Sequence, residues 1–128
     1  MKIRKKKLKA FIDESGSLIP IEFKDIDFEP KRLFYVTNVP KNCRRGNHSH
    51  FKTRQLLICV RGSIGVVLTD KEYISDYVIL SENEYVYVPN LIWDAQDFLT
   101  GNDVLLVLCS TNFDEKDYIY DKSVMYEK

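Results

Sequence analysis

Short β-rich segments punctuated by turn residues run the length of this chain, and they restrict its folds more than any other feature. Residues 8–12, 18–23, 33–38, 55–60, 63–68, 73–80, 84–88 and 104–110 are enriched in β-branched and aromatic side chains, the residue types that suit a pleated, half-buried surface. Between them lie 14–17, 39–42, 61–63, 69–72, 81–83 and 100–103, rich in Gly, Pro, Asn, Asp and Ser, each of which favours a turn for its own backbone reason. No stretch carries a sustained apolar repeat near the helical period of about 3.6 residues, so helix is expected to be scarce. The chain also lacks a GxGxxG or P-loop pattern, which sets aside a parallel dinucleotide- or nucleotide-binding fold. An all-β antiparallel sandwich or barrel remains. With 128 residues, 45% of them hydrophobic, the chain is expected to form one compact domain over 1–128.

Nineteen basic residues balance nineteen acidic ones, which leaves no global field to draw nucleic acid or an anionic membrane. The basic run over residues 2–9 reads as a solvated N-terminus or a charged edge strand that discourages aggregation. Cys43, Cys59 and Cys109 are odd in number and form no CxxC pair, which argues against a disulfide framework or a zinc knuckle and for a reducing compartment. Cys59 and Cys109 fall inside apolar runs, where a thiol behaves as a small hydrophobe. There is no apolar signal core and no apolar run approaching the ~20 residues of a membrane helix, so a cytoplasmic protein without a membrane partner is expected.

His48 and His50 are the only histidines. Alternate residues of a strand leave the same face, so the pair is expected to set both rings side by side, where they can share a substrate or a metal. An unperturbed imidazole titrates near pH ~6.5, and two on one strand make a proton-transfer device at neutral pH. Two polar rings pointing into one interior need a reason to be there.

Outward from the histidines the pattern is His48-x-His50, then Gln55, then Gly62. It resembles the first signature of the cupin barrels, with Gln55 at the place usually held by Glu; counting from Pro89, Asp94 stands where the second cupin signature has a histidine. A fuller resemblance runs through Arg32-Leu33-Phe34-Tyr35-Val36-Thr37-Asn38-Val39-Pro40, Arg45-Gly46-Asn47-His48-Ser49-His50, Gln55-Leu56-Leu57-Ile58-Cys59, Gly62-Ser63, Val88-Pro89 through Trp93, Asp97-Phe98 and Asp114 through Asp121. On these residues the chain resembles the sugar 3,4-ketoisomerases, cupins that act on dTDP-4-keto-6-deoxyglucose. The resemblance implies an antiparallel jelly-roll-like barrel and an isomerase that uses no metal and no cofactor. It also implies a homodimer with exchanged N-terminal strands, and a place in making 3-amino-3,6-dideoxy sugars for surface glycans.

Moving a ketone from C4 to C3 requires loss of the C3 hydrogen, an enediol, and delivery of a proton to C4. One neutral imidazole can serve both carbons, worth typically ~10²–10⁴-fold. His50 is assigned that role, with His48 moving the proton between the two oxygens and Tyr35 assisting by a hydrogen bond. Tyr35 reads equally as a core aromatic. Arg32, Arg45 and Arg54 are candidates to hold the diphosphate, Arg45 foremost because it precedes the histidine strand. Gln55 either orients a sugar hydroxyl or serves the barrel structurally, and Trp93 either packs on the sugar ring or fills the core. Asp94, where the family commonly carries His or Arg, is placed with Ser17 at the edge that decides the face on which C4 is protonated; the alternative is that Asp94 caps a turn.

Two other classes use the same residues. His48, His50 and Asp94 form a two-histidine, one-carboxylate set, the ligand type of non-haem iron oxygenases. A non-catalytic sugar-binding cupin needs only the cavity. An epimerase on the same nucleotide sugar differs from the isomerase by proton exchange at C5.

Overall fold

The computed structural model describes residues 2–126. Twelve strands are present among them: β1 (Lys6–Lys7), β2 (Phe11–Asp13), β3 (Gly16–Leu18), β4 (Arg32–Val36), β5 (Cys43–His50), β6 (Gln55–Arg61), β7 (Ile64–Thr69), β8 (Ser75–Leu80), β9 (Glu84–Val88), β10 (Trp93–Phe98), β11 (Val104–Cys109) and β12 (Tyr118–Ile119). Helix is confined to short 3₁₀ turns at Phe23–Asp25, Glu115–Asp117 and Lys122–Tyr126. Every pairing is antiparallel. One five-stranded sheet has the order β1-β9-β6-β11-β4 and the other β12-β5-β10-β7-β8, while β2 and β3 form a separate hairpin.

The two large sheets face each other across a core in which Leu57, Val86 and Val107 from the first meet Ile64, Val66, Leu68 and Phe98 from the second. This is the jelly-roll-like cupin architecture. The first sheet is apolar on its outer face as well, where Phe28 packs with Leu56, Ile58 and Leu108. Burial on both faces is why 55–60 and 104–109 read as continuous apolar runs rather than alternating ones. At the other sheet, Trp93, Ile119 and Met125 make a smaller cluster under the C-terminal turn.

Two expected elements differ. The segment 18–23 does not continue as a strand: β3 stops at Leu18, and Pro20 cannot donate to a ladder. Of the segment 8–12 only Phe11 and Ile12 are strand, at the start of β2; residues 8–10 lie between β1 and β2, with Leu8 turned into the outer cluster. Strands β1, β5, β10 and β12 lie outside the expected segments, and β10 does so because its inward residues Asp94 and Gln96 are polar and its outward Trp93 and Ala95 are buried. That inverts the alternation on which strand reading depends.

Candidate active site

The site is built on β5, and a register fault in that strand shapes it. Asp94 pairs with His48, and Gln96 pairs with Arg45, so two steps along β10 match three along β5. The extra residue is taken up at Gly46 and Asn47, which have φ of 86° and 59°. This is a β-bulge, the device that re-aims side chains beside many active sites. Under plain alternation Arg45 and His48, three apart, leave opposite faces of the strand; with the bulge both line the same cavity. Gly46 is needed there twice over, for its positive φ and because a Cβ would stand 3.1 Å from both amide atoms of Gln96.

The two imidazoles do share a face. Their ring centroids are 5.0 Å apart and edge-on. His48 lines the cavity, and His50 lies beneath it, 4% exposed. Strand β12 pairs Tyr118 with His50, and the Tyr118 ring stands 4.5 Å from His50 and 5.2 Å from His48, with Tyr120 stacked on it at 5.7 Å. The residue before β12 fixes this arrangement. Asp117 accepts hydrogen bonds from the backbone N–H of Lys52 at 2.8 Å and of Thr53 at 3.0 Å, and from the Thr53 hydroxyl. It thereby pins the loop that leaves the histidine strand.

Burial disfavours charge on both rings. It lowers the pKa of His48 against the pull of the Gly46 carbonyl. His50 is pushed down to about 4, by burial first, then by His48 and Arg32, with Asp117 opposing. Both imidazoles are therefore neutral at pH 7 and able to accept a proton.

The cavity holds about 670 Å³, and its wall includes Arg32, Arg45, His48, Gln55, Gln96 and Tyr118. The Arg32 guanidinium lies 4.7 Å from the Phe34 ring centroid and 5.1 Å from that of Phe113, a contact that holds a planar cation in place. Gln55 is buried and donates through Nε2 to the Cys109 sulfur at 3.4 Å. Two cations, the His48 imidazole with His50 beneath it, and the amides of Gln55 and Gln96 suit an anionic, hydroxylated ligand.

Comparison with known proteins decides the family. The model of the family described as FdtA: WxcM-like, C-terminal matches residues 1–128. The chain belongs to the sugar 3,4-ketoisomerase family. It is 36% identical over 121 residues to the TDP-4-oxo-6-deoxy-alpha-D-glucose-3,4-oxoisomerase of Aneurinibacillus thermoaerophilus, covering 92% of this chain and 87% of that protein. The crystal structure of QdtA, a sugar 3,4-ketoisomerase from Thermoanaerobacterium thermosaccharolyticum in complex with TDP, matches with a TM-score of 0.89 and 37% identity over 97% of this chain and 91% of that one. A 3,4-ketoisomerase from Helicobacter canadensis matches with a TM-score of 0.89 and 30% identity, covering 98% and 96%.

Several residues expected at the site of this ketoisomerase lie elsewhere. Tyr35 reaches only the rim: on β4 it alternates with the half-buried Arg32, Phe34 and Val36, and it is 67% exposed. Tyr118 takes the place beside the imidazoles. Arg54, next to the inward Gln55, points to the opposite face and lies over Phe28 at 5.5 Å. Trp93 is outward on β10, packed with Ile119 and Met125. Ser17 sits on the exposed β2–β3 hairpin, away from this cavity.

Asp94 is the largest departure. It is fully buried and absent from the cavity wall, its Oδ1 accepts from Nε2 of Gln96, and its Oδ2 has no partner. Burial pushes its pKa up to about 7. It does not cap a turn, and among the described residues no three of His, Cys, Asp and Glu are grouped as metal ligands, so the two-histidine, one-carboxylate set is not assembled. Tyr118, Tyr120, Asp117 and Gln96 are the site residues that residue-by-residue reading of the sequence passed over. The signal for the first three lay in the 114–121 tail, where alternating Tyr118 and Tyr120 follow an acid.

Proposed function

We propose that this ketoisomerase takes TDP-4-keto-6-deoxyglucose and moves its carbonyl from C4 to C3. The observation that carries the reading is a pair of neutral, edge-on imidazoles, His48 on the wall of a cavity that also carries Arg32 and Arg45 and His50 beneath it. The substrate named for the Aneurinibacillus relative and the TDP bound by QdtA fit that wall. In this mechanism the diphosphate meets the exposed Arg45 and the sugar goes inward. The buried His50 takes the proton from C3, the C3–H electron pair becomes the C=C of an enediol, and the C4 oxygen gains a proton. His48 carries the proton between the C3 and C4 oxygens. His50 returns its proton to C4 as the C3 oxygen becomes the carbonyl, which leaves the enzyme unchanged.

The reaction so written uses only protons, and every one of them is carried by residues of this chain. Metal independence is supported by the engagement of Asp94, the carboxylate of the two-histidine, one-carboxylate set, with Gln96 rather than with the histidine pair. The apolar Phe11, Ile12 and Leu18 of the N-terminal hairpin are exposed at 54%, 74% and 62%, which supports a homodimer in which a second copy covers them by strand exchange and carries Ser17 toward the neighbouring site. The chain works as one domain, in the cytoplasm, and its 3-keto product is the kind of carbonyl that an amino-group transfer consumes to give a 3-amino-3,6-dideoxy sugar.

NMR of purified protein with TDP-4-keto-6-deoxyglucose, with and without excess chelator, tests this. A new 3-keto species in equal yield in both samples is expected. Loss of turnover in chelator turns the reading toward a metal cupin, exchange confined to C5 toward an epimerase, and binding without conversion toward a sugar-binding protein.

A further inference from the structure

Gln96 lies in the middle of β10. It lines the cavity although it is only 6% exposed, and it reaches over β5 at the bulge, where Gly46 leaves room for its amide. Its Nε2 donates to Oδ1 of Asp94, the residue two places before it on the same inward face of β10. Among the described residues nothing donates to Oε1 of Gln96. The amide is therefore held with one polarity, its nitrogen turned to the carboxyl and its carbonyl oxygen left for the cavity.

The Asp94 side chain makes this arrangement expensive. It is fully buried, and Oδ2 has no hydrogen-bond partner. A buried polar atom without a partner calls for an explanation, and an apolar side chain of similar volume commonly stabilises such a site. Core packing does not require a carboxyl at this place, whereas the polarity of the Gln96 amide does.

We propose that Gln96 contacts the substrate, its Oε1 accepting a hydrogen bond from a hydroxyl of the hexose ring, and that Asp94 is the positioning residue that holds this amide in register. The inference rests on the ketoisomerase reading and adds to it the group that recognises the sugar rather than the nucleotide. It replaces the placement of Asp94 in direct contact with substrate by one in which Asp94 acts through its neighbour.

The test uses the full chain and three readouts: steady-state kinetics on TDP-4-keto-6-deoxyglucose followed by NMR, calorimetric affinity for TDP alone, and Tm. Wild-type turnover comes first, since its absence overturns the ketoisomerase reading and this role together. Given turnover, Gln96→Leu is expected to raise KM for the sugar nucleotide about tenfold, the loss of one hydrogen bond to a buried group, and to leave TDP affinity unchanged. Asp94→Leu is expected to raise KM by a similar factor with an equal or higher Tm. Asp94→Asn, which keeps an oxygen for Nε2 of Gln96, is expected to stay near the wild-type KM. The double Gln96→Leu/Asp94→Leu variant is expected to be no worse than either single one, because both remove the same contact. The role is overturned if Gln96→Leu leaves KM within twofold, if TDP affinity falls along with it, or if the two losses multiply. Should Asp94→Leu not fold, Gln96→Leu and Asp94→Asn decide the matter by the same criteria.

Discussion

At the scale of single residues, the site is governed by what burial does to charge. His50 is neutral at physiological pH because burial, His48 and Arg32 all oppose its cation. A base with its pKa moved down to about 4 remains in working form well below the ordinary imidazole range, so the acid limb of kcat is expected to lie below pH ~6.5; a limb centred at or above that value contradicts the assignment. The same shift enters stability. Between about 4 and 6.5 the unfolded chain binds the proton that folded His50 refuses, so this contribution is complete above pH ~6.5 and is lost as the pH falls toward 4. Asp94 has the opposite sign. Its folded pKa is raised from 3.8 to about 7, so its favourable contribution is complete below pH ~3.8 and is lost as the pH rises through 7, where a charge must be buried. Comparing Asp94→Asn with wild type by calorimetry should therefore show the variant gaining relative stability from pH 4 to pH 8, by on the order of 2–4 kcal/mol. A difference that is flat across that range removes the burial argument. At this scale His48, His50, Gln55 and Arg45 were legible from residue type and spacing. Asp94 was visible as chemistry, but its contact with Gln96 arises from a strand whose polarity pattern gives no sign of facing inward.

Single elements decide which of these side chains meet. The bulge at Gly46 and Asn47 puts Arg45 on the face that carries His48 and His50, and period-two reading of 43–50 cannot reveal it, because the extra residue is defined only by the partner strand. Gly46→Ala is expected to cost about 1–3 kcal/mol in chemical denaturation, since it adds strain at φ 86° and a Cβ at 3.1 Å from Gln96. It should also raise KM. A neutral result shows that the bulge is not constrained at this residue. The β12 segment offers a second element-scale test. Asp117→Ala removes the acceptor for Lys52, Thr53 and the Thr53 hydroxyl and frees Tyr118 from its place opposite His50. A fall in kcat of roughly 10-fold or more is expected, together with a loss of stability on the order of 1–3 kcal/mol; unchanged kcat separates the clamp from the chemistry. The 18–23 misreading has an equally local origin, in the donor that Pro20 lacks.

For the whole molecule, turn spacing and the continuous apolar runs at 55–60 and 104–109 were enough to indicate an antiparallel fold, because the first sheet is buried on both faces. The second copy proposed to cover the N-terminal hairpin was not legible from pattern alone, since it rests on the exposure of Phe11, Ile12 and Leu18. If that proposal holds, light scattering gives a dimer for the full chain, and removing residues 2–18 gives a monomer without turnover. A dimer that survives the deletion contradicts strand exchange. Turnover itself depends on the central claim that two neighbouring imidazoles carry the protons of the reaction. Deuterium incorporation measures that claim most directly: in deuterated water the proton held by His50 exchanges with solvent during the life of the enediol, so the wild type should place deuterium at the reprotonated sugar carbon, and His50→Asn should lose this incorporation while still binding TDP. Undiminished incorporation in His50→Asn would contradict the account.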